Sequence, residues 1–290
     1  MKFSYIRKKT GEFPIAWMCR RLRVSASGFY AWKERPLCER AKEDERLRLK
    51  IRVYHRASRG CYGRPRIHHD LQEDGIRISQ KRVARLMREQ GIYGRLPKRW
   101  KKTTNSSHDR GYADNLVKQD FHAIGPNRLW VSDISYVRTW EGWMYLAVVL
   151  DAYSRRVVGY AVEDHMRSEL AVNAFNTAIA NRQPSDGLVH HSDRGSQYAS
   201  HAYRDALKKI KAKASMSDTG SCYDNAMAES FFSTIKEELI YRNTWPSKSS
   251  VAREIRDYID NFYNCRRRHS SIGNISPLEY EVGFMRRLAA

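Results

Sequence analysis

The stretches LWVSDISYV (Leu129–Val137) and WMYLAVVLDAYSRRVVGYAV (Trp143–Val162) decide the fold. The first alternates and is rich in strand-favouring residues, with Asp133 interrupting its middle. The second holds an almost wholly apolar strand (Trp143–Leu150), a turn through Ser154 and a third strand (Val157–Val162). Two tight connections in succession make an antiparallel meander. Downstream, Ser168–Asn181 reads as a helix that turns Leu170, Phe175 and Ile179 inward. A short strand, GLVHH (Gly187–His191), ends at Ser192 and Asp193, and a helix from Tyr198 to Ile210 and a strand over Lys213–Met216 follow. DNAMAESFFSTIKEELIY (Asp224–Tyr241) is a helix with Ala228, Phe232, Ile235 and Leu239 as its stripe. The order βββαβαβα predicts an α/β domain: a mixed five-stranded sheet with helices on both faces.

Upstream of the Gly125-Pro126 breaker pair the character changes. The 290 residues carry 53 Lys and Arg against 32 Asp and Glu, a net charge of +21. Up to Gly125 there are 31 basic and 13 acidic residues, a net of +18; from Pro126 onward the counts are 22 and 19, a net of +3. A polyanion is the expected partner, held mainly by the first part. No run of eighteen apolar residues is present, which excludes a membrane-spanning helix. The opening MKFSYIRKKT lacks the apolar core of a secretory signal. The five cysteines, Cys19, Cys38, Cys61, Cys222 and Cys265, form no CxxC pair, which argues for a reducing intracellular compartment and against a zinc knuckle.

Within the basic part, PIAWMCRRLR (Pro14–Arg23) and VSASGFYAW (Val24–Trp32) read as two short helices, with Ser25 or Ser27 placed to cap the second. A helix-turn-helix and a plain helical hairpin fit them equally. Glu39–Ala57 is a charged helix with Leu47, Ile51 and Tyr54 on one stripe. Tyr62–Ile92 is the stronger unit. Ile67 and Leu71 face inward on a helix ended by Gly75, and Ser79 caps a second helix through Gln90 with Val83, Leu86 and Met87 as its apolar stripe. Lys81, Arg82, Arg85 and Arg88 take the other face, as a helix in a major groove requires; an ordinary basic surface helix carries such residues too. Leu96–Tyr112 is basic and poor in apolar residues, a linker or extended arm.

Three carboxylates stand out. Asp133 lies mid-strand, where an acid is costly unless paired or metal-bound. Asp193 lies just past the end of a neighbouring strand, where α/β sheets place ligands. Glu229 lies early in the last helix of the sheet domain. Three acids meeting at one sheet edge repel one another and call for divalent cations; oxygen ligation suits Mg²⁺ or Mn²⁺, two ions serving a phosphodiester. Asp151, after the second strand, is the rival ligand and reads as a turn residue. Gln197 and Asn225 lie within a few residues of these acids and either orient them or are plain surface groups. His190 and His191 end a strand and suit the core better than a metal.

The 35 residues between Asp193 and Glu229 match the D,D(35)E spacing of the retroviral-integrase superfamily. LWVSDISYV, VVLDAYSRRVVGYAV, HHSDRGSQY, CYDNAMAESFFSTIKEEL and YNCRRRHSSIGNISPLEYE resemble, in order, blocks of the OrfB catalytic subunit of family-three insertion-sequence transposases. GCYGRPRI and VARLMREQGI resemble its helix-turn-helix, and EFPIAWMCRRLRVSASGFYAW resembles its opening, so the likeness spans the chain. It implies a ribonuclease-H-like core with Asp133, Asp193 and Glu229 as catalytic metal ligands. Lys236, two turns beyond Glu229, then touches the DNA end or else pairs with a nearby Glu. Arg266, Arg267, Arg268 and His269, beyond a C-terminal helix (Val251–Tyr263), are expected to contact phosphates. The implied activity is metal-dependent cleavage and strand transfer at insertion-sequence ends in the bacterial cytoplasm, at the nucleoid. The implied partners are double-stranded DNA, an OrfA-type subunit or fused product, and further copies of the chain. An RNase H-like nuclease and a catalytically silent DNA-binding regulator are the rivals. The expected divisions are a helical segment (1–60), the helix-turn-helix (61–95), a basic linker (96–125), the core (126–245) and a helical extension (246–290).

Overall fold

The computed structural model describes residues 1–36, 38–95, 112–218 and 224–289. Residues 96–111 of the expected linker and Cys222 lie outside the described residues. The chain forms two compact units, Met1–Arg52 and Val53–Ala290. The first contains α1 (Lys2–Lys8), α2 (Ile15–Arg21), α3 (Ala26–Glu34) and most of α4 (Glu39–Ala57). Ile6, Met18, Cys19 and Phe29 form its small core, and the Ser25 hydroxyl accepts the Gly28 N–H at 3.0 Å to cap α3.

The second unit opens with α5 (Arg64–Glu73) and α6 (Gln80–Glu89). Gly75, at φ +75°, makes the turn between them, and the Ser79 hydroxyl accepts the Arg82 N–H at 3.3 Å. Ile67, Leu71, Val83, Leu86 and Met87 are all buried, as the spacing predicts.

The sheet follows: β1 (Leu129–Thr139), β2 (Gly142–Asp151), β3 (Val157–Glu163), α7 (Ser168–Arg182), β4 (Val189–Ser192), α8 (His201–Lys209), β5 (Lys213–Met216) and α9 (Ala226–Glu238). Strand order is β3-β2-β1-β4-β5; β1, β2 and β3 pair antiparallel, and β4 and β5 run parallel with β1. This is the ribonuclease-H-like integrase fold. Trp130, Ala147 and Val149 turn one sheet face towards Phe175 of α7 and Tyr203 of α8. Gly159 lets α7 seat closely: a Cβ there would lie 2.4 Å from the Ala174 carbonyl oxygen. By alternation Val131, Leu146, Val148 and Leu150, also buried, face the opposite side. Phe231, Phe232 and Ile235 of α9, which packs on β1, supply a second buried set.

Helix α8 starts three residues later than expected because Ser200 caps it, accepting the Tyr203 N–H at 3.2 Å. The C-terminal helix is longer: α10 (Lys248–Asp257) runs into a π-helical turn over Tyr258–Tyr263, and α11 (Pro277–Ala289) closes the chain. Tyr112 and Ala113, at the end of the expected linker, pack against the sheet core.

The cluster Arg267-Arg268-His269 departs from expectation. All three are buried, so they present no surface to phosphate. Arg267 donates twice to the buried Glu238 carboxylate of α9, at 2.8 Å and 2.9 Å. Glu238 also accepts from the Tyr258 hydroxyl at 2.8 Å and lies 3.5 Å from Arg66 of α5. Arg268 reaches Asp70 at 2.7 Å and Glu73 at 2.7 Å, both on α5. His269 packs edge-on to Tyr263, and burial beside Arg267 holds its imidazole neutral, well below the usual histidine range. Only Arg266 of the four is exposed.

Burial alone would raise the Glu238 carboxyl, but Arg267 outweighs it and holds the group below its ordinary 4.5. Its contribution to stability is therefore full above that pH and is lost as pH falls through the lowered value. Arg267→Ala, which leaves the carboxylate buried with less compensation, should cost about 3–5 kcal/mol near pH 7. Glu238→Gln should flatten the acid limb of the stability curve. Denaturant melts of both variants between pH 3 and 7 measure the two effects.

Candidate active site

The sheet brings two acids together through register. β1 pairs with β4 only from Leu129 to Ser132, where Ser132 lies opposite Ser192, but pairs with β2 as far as Thr139. Asp133 and Asp193 are each the next residue, so Asp193 leaves the sheet where Asp133, still paired with Val148 of β2, loses its β4 neighbour. Helix α9 is pinned to the same point: the Asn225 amide donates to the Ser132 carbonyl at 3.3 Å. Glu229, one turn further, closes the first helical turn through its N–H to the Asn225 carbonyl, 3.1 Å away.

Burial pushes the Asp133 carboxyl well above its usual range, and the Asp193 charge and then that of Glu229 add to it. The Ile134 N–H, 2.7 Å from Oδ1, and the Lys236 ammonium oppose the shift. Burial also raises Asp193, against a 3.0 Å hydrogen bond from the Gly195 N–H, and raises Glu229. Lys236, whose Nζ lies 5.6 Å from the Tyr136 ring centroid, is lowered by burial and sustained by Asp133. The centre thus holds more negative charge than its surroundings offset. A Cβ at Gly195 would meet Asp193 Oδ1 at 2.9 Å and Gln197 Oε1 at 3.1 Å, so a side chain there would push these groups aside. Gln197 donates to the Met166 carbonyl at 2.9 Å.

Two groups border the acids: Tyr198, which carries no signal in local sequence, and Asn225, which the sequence offers by its nearness to Glu229. The Tyr198 hydroxyl, close enough to feel Asp133 and Asp193, is buried without a hydrogen-bond partner, as is Asn225 Oδ1. Oxygen donors, surplus negative charge and two orphaned polar atoms fit a hydrated divalent cation. Among the described residues no group of three His, Cys, Asp or Glu side chains is disposed to hold a metal ion, and Asp193 weighs more on Asp133 than Glu229 does.

The remaining candidates divide. Lys81 and Arg88 are exposed on α6 and Arg82 is half-buried, while Arg85 bonds Glu89 at 2.8 Å. His190 is buried between the Ser132 and Tyr203 hydroxyls, at 2.7 Å and 2.9 Å, and burial drives it down to about 3. His191 bonds Ser215 at 2.9 Å. Asp151 is wholly buried, and its oxygens accept the N–H groups of Asn127 and Tyr153 at 2.7 Å and 2.9 Å, as in a turn.

A mixed sheet that sets paired carboxylates at its edge is the architecture of an integrase core, and two integrase core profiles match the chain, over residues 124–222 and 210–277. An HTH-like domain profile matches residues 42–100. The chain is 42% identical over 263 residues to the "Insertion element IS600 uncharacterized 31 kDa protein" of Shigella sonnei, covering 91% of this chain and 97% of that one. It is 38% identical to "Transposase InsF for insertion sequence IS3A" of Escherichia coli (strain K12), covering 97% and 98%. The simian T-cell lymphotropic virus intasome in complex with PP2A regulatory subunit B56 gamma is similar at 14% identity and TM-score 0.46, covering 80% of this chain and 74% of that one. The chain belongs to the OrfB-type transposases of the IS3 family, integrase-like enzymes that act on DNA at insertion sequences. Among the described residues no helix is long and apolar enough to cross a membrane.

Gly195→Ala should displace the Asp193 carboxylate while leaving the melting temperature nearly unchanged, because the strain is confined to an edge turn. Cleavage of a labelled element end should fall by at least about tenfold, a barrier change of about 1.4 kcal/mol. Cleavage kinetics and thermal melts of the same preparation check it.

Proposed function

We propose that Asp133, Asp193 and Glu229 form the catalytic centre, with Lys236 beside them on the DNA end. The observation that carries this reading is the register: β4 stops where β1 and the start of α9 meet, and there Asp133 feels the charges of Asp193, Glu229 and Lys236. The donor set suits Mg²⁺ or Mn²⁺, two ions per site, held by the three acids. Bound there, such cations supply the positive charge that activates an attacking oxygen and offsets charge on the leaving one.

The reaction is paired displacements at phosphorus. Water bonds to the phosphorus at the element end as the 3′-oxygen leaves and takes up a proton, giving a 3′-OH and a 5′-phosphate. That 3′-oxygen then attacks a second phosphodiester, loses its proton and expels another 3′-oxygen, so the number of P–O ester bonds is unchanged in the joining step. Joining the two ends of one element first, into a circle that later integrates, is the proposed sequence. Within this scheme α6 holds the duplex, with Lys81, Arg82, Arg85 and Arg88 on phosphates and Arg266 as a further contact. We assign residues 61–95 to DNA holding, 96–125 to the connection, and 126–245 with the 246–290 extension to chemistry; residues 1–60 precede them. One small helix-turn-helix reads few base pairs, so selective end pairing is assigned to an OrfA-type partner or fused product and to at least two copies of the chain.

Asp133→Asn, Asp193→Asn and Glu229→Gln should each abolish cleavage and joining of labelled element ends in Mg²⁺ while DNA affinity stays within about twofold, since each removes charge and little volume. Asp151→Asn, at a turn, should retain activity; an inactive Asp151→Asn beside an active Asp133→Asn would overturn the assignment. Lys81→Ala with Arg88→Ala should reduce the slope of log affinity against log salt by about 2, close to one unit per phosphate contact. A titration between 50 and 300 mM salt reads that slope.

A further inference from the structure

Beyond Ser132 the strand β1 has no β4 alongside it, and on this overhang the chain leaves large aromatic rings in water. Tyr136 is 51% exposed, Trp143 on β2 is 44% exposed and Trp140, in the turn between the strands, is 77% exposed. Register sets Tyr136 opposite Tyr145 and Arg138 opposite Trp143, so Tyr136, Arg138 and Trp143 share one face. Tyr136 and Trp143 meet edge to face, with centroids 5.2 Å apart and planes at 86°. Each ring carries a cation: Lys236 Nζ lies 5.6 Å from the Tyr136 centroid and the Arg138 guanidinium 5.7 Å from that of Trp143. Lys236 is also the ammonium that Asp133 sustains, so this surface begins where the carboxylate centre ends.

Exposed rings alternating with cations are the chemistry of single-stranded nucleic acid, where bases stack on aromatic faces and the cations meet the backbone. A paired duplex offers no free base face along its length. A blunt end exposes one face of its last pair, and a single base is free to leave the stack only where the end has opened. We propose that Tyr136 and Trp143 form a stacking platform for a base unpaired at the DNA end in the active site, with Arg138 and Lys236 on the flanking phosphates. The proposal rests on the placement of the catalytic centre at Asp133 and Asp193. It adds that the reacting end is held opened by a base or more, so end melting is part of substrate recognition.

The test compares two ends of the element that encodes the chain, identical except that one has its last three base pairs mismatched. Binding of the full chain is measured without divalent metal, so the readout is independent of catalysis; failure of the catalytic assignment shows separately, in cleavage by the acid variants. The wild type should prefer the mismatched end by about tenfold, the contribution of one base stacked on one ring. Tyr136→Leu with Trp143→Leu should erase that preference while binding to an internal duplex fragment stays within about twofold. Tyr136→Phe, which keeps the ring, should keep the preference. Equal affinity of the wild type for both ends would overturn the proposal, as would a leucine variant that still prefers the mismatched end. If the leucine variant instead loses self-association in sedimentation and keeps its end preference, the rings cover a second copy of the chain and the platform is wrong. A circular dichroism melt shows that the variants compared are folded.

Discussion

A carboxylate on the inward side of a helix must be answered by positive charge or hydrogen bonds, and the placement of Glu238 imposes that demand on the whole second unit. Glu238 sits on α9 in line with Phe231 and Ile235, a stripe otherwise apolar and buried. Arg267 from the C-terminal segment, Tyr258 from the π-helical turn and Arg66 from α5 converge on it. The C-terminal segment and α5, far apart in sequence, are thereby tied to the helix that carries Glu229 and Lys236. An apolar residue at the same position would pack there without specifying which segments come together; the charge specifies its partners because an unpaired ion in the interior is so costly.

Arg268 extends the same logic outward. Its guanidinium takes Asp70 and Glu73 from α5, while its backbone N–H donates to the Tyr62 hydroxyl at 2.7 Å, and that hydroxyl donates to the Arg266 carbonyl at 3.1 Å. The helix pair α5–α6 is consequently no detachable arm. It belongs to the compact unit that begins at Val53, with the boundary inside α4. A truncation that removes everything before Pro126 would strip Arg268 of Asp70 and Glu73 and Glu238 of Arg66 as well as removing basic charge, and would confound lost charge with lost stability.

Much of this was legible in the residues. Alternation in LWVSDISYV and the apolar run after it define the meander, and an acid mid-strand at Asp133 with another just past a strand end at Asp193 mark the site. Helical periodicity placed Ile67, Leu71, Val83, Leu86 and Met87 in the interior. Arg267, Arg268 and His269 were misread because a window around them shows only cations following a helix. Their acids lie 29 residues away at Glu238 and 198 and 195 residues away at Asp70 and Glu73. A trace was present nonetheless: Glu238 interrupts an apolar stripe, and Asp70 and Glu73 stand one turn apart on one helix, each implying a partner that local reading does not supply. Tyr198 borders the acids only through tertiary contact, and the aromatic overhang depends on where β4 stops.

The buried clamp also bears on how DNA binding is turned into chemistry. Energy gained where α6 meets phosphates accelerates a reaction elsewhere only if the two places keep a fixed relation, since a loose link lets the reacting phosphate wander at no cost to binding. Glu238 lies nine residues after Glu229 on the same α9, and it is bonded to both the C-terminal segment and α5. On the proposed reading, a duplex on α6 is referred, through α5 and Arg66, to the helix bearing Glu229 and Lys236. The charge of Arg267 and Arg268 is spent inside the protein, where it ties α5 and the C-terminal segment to α9 in one frame.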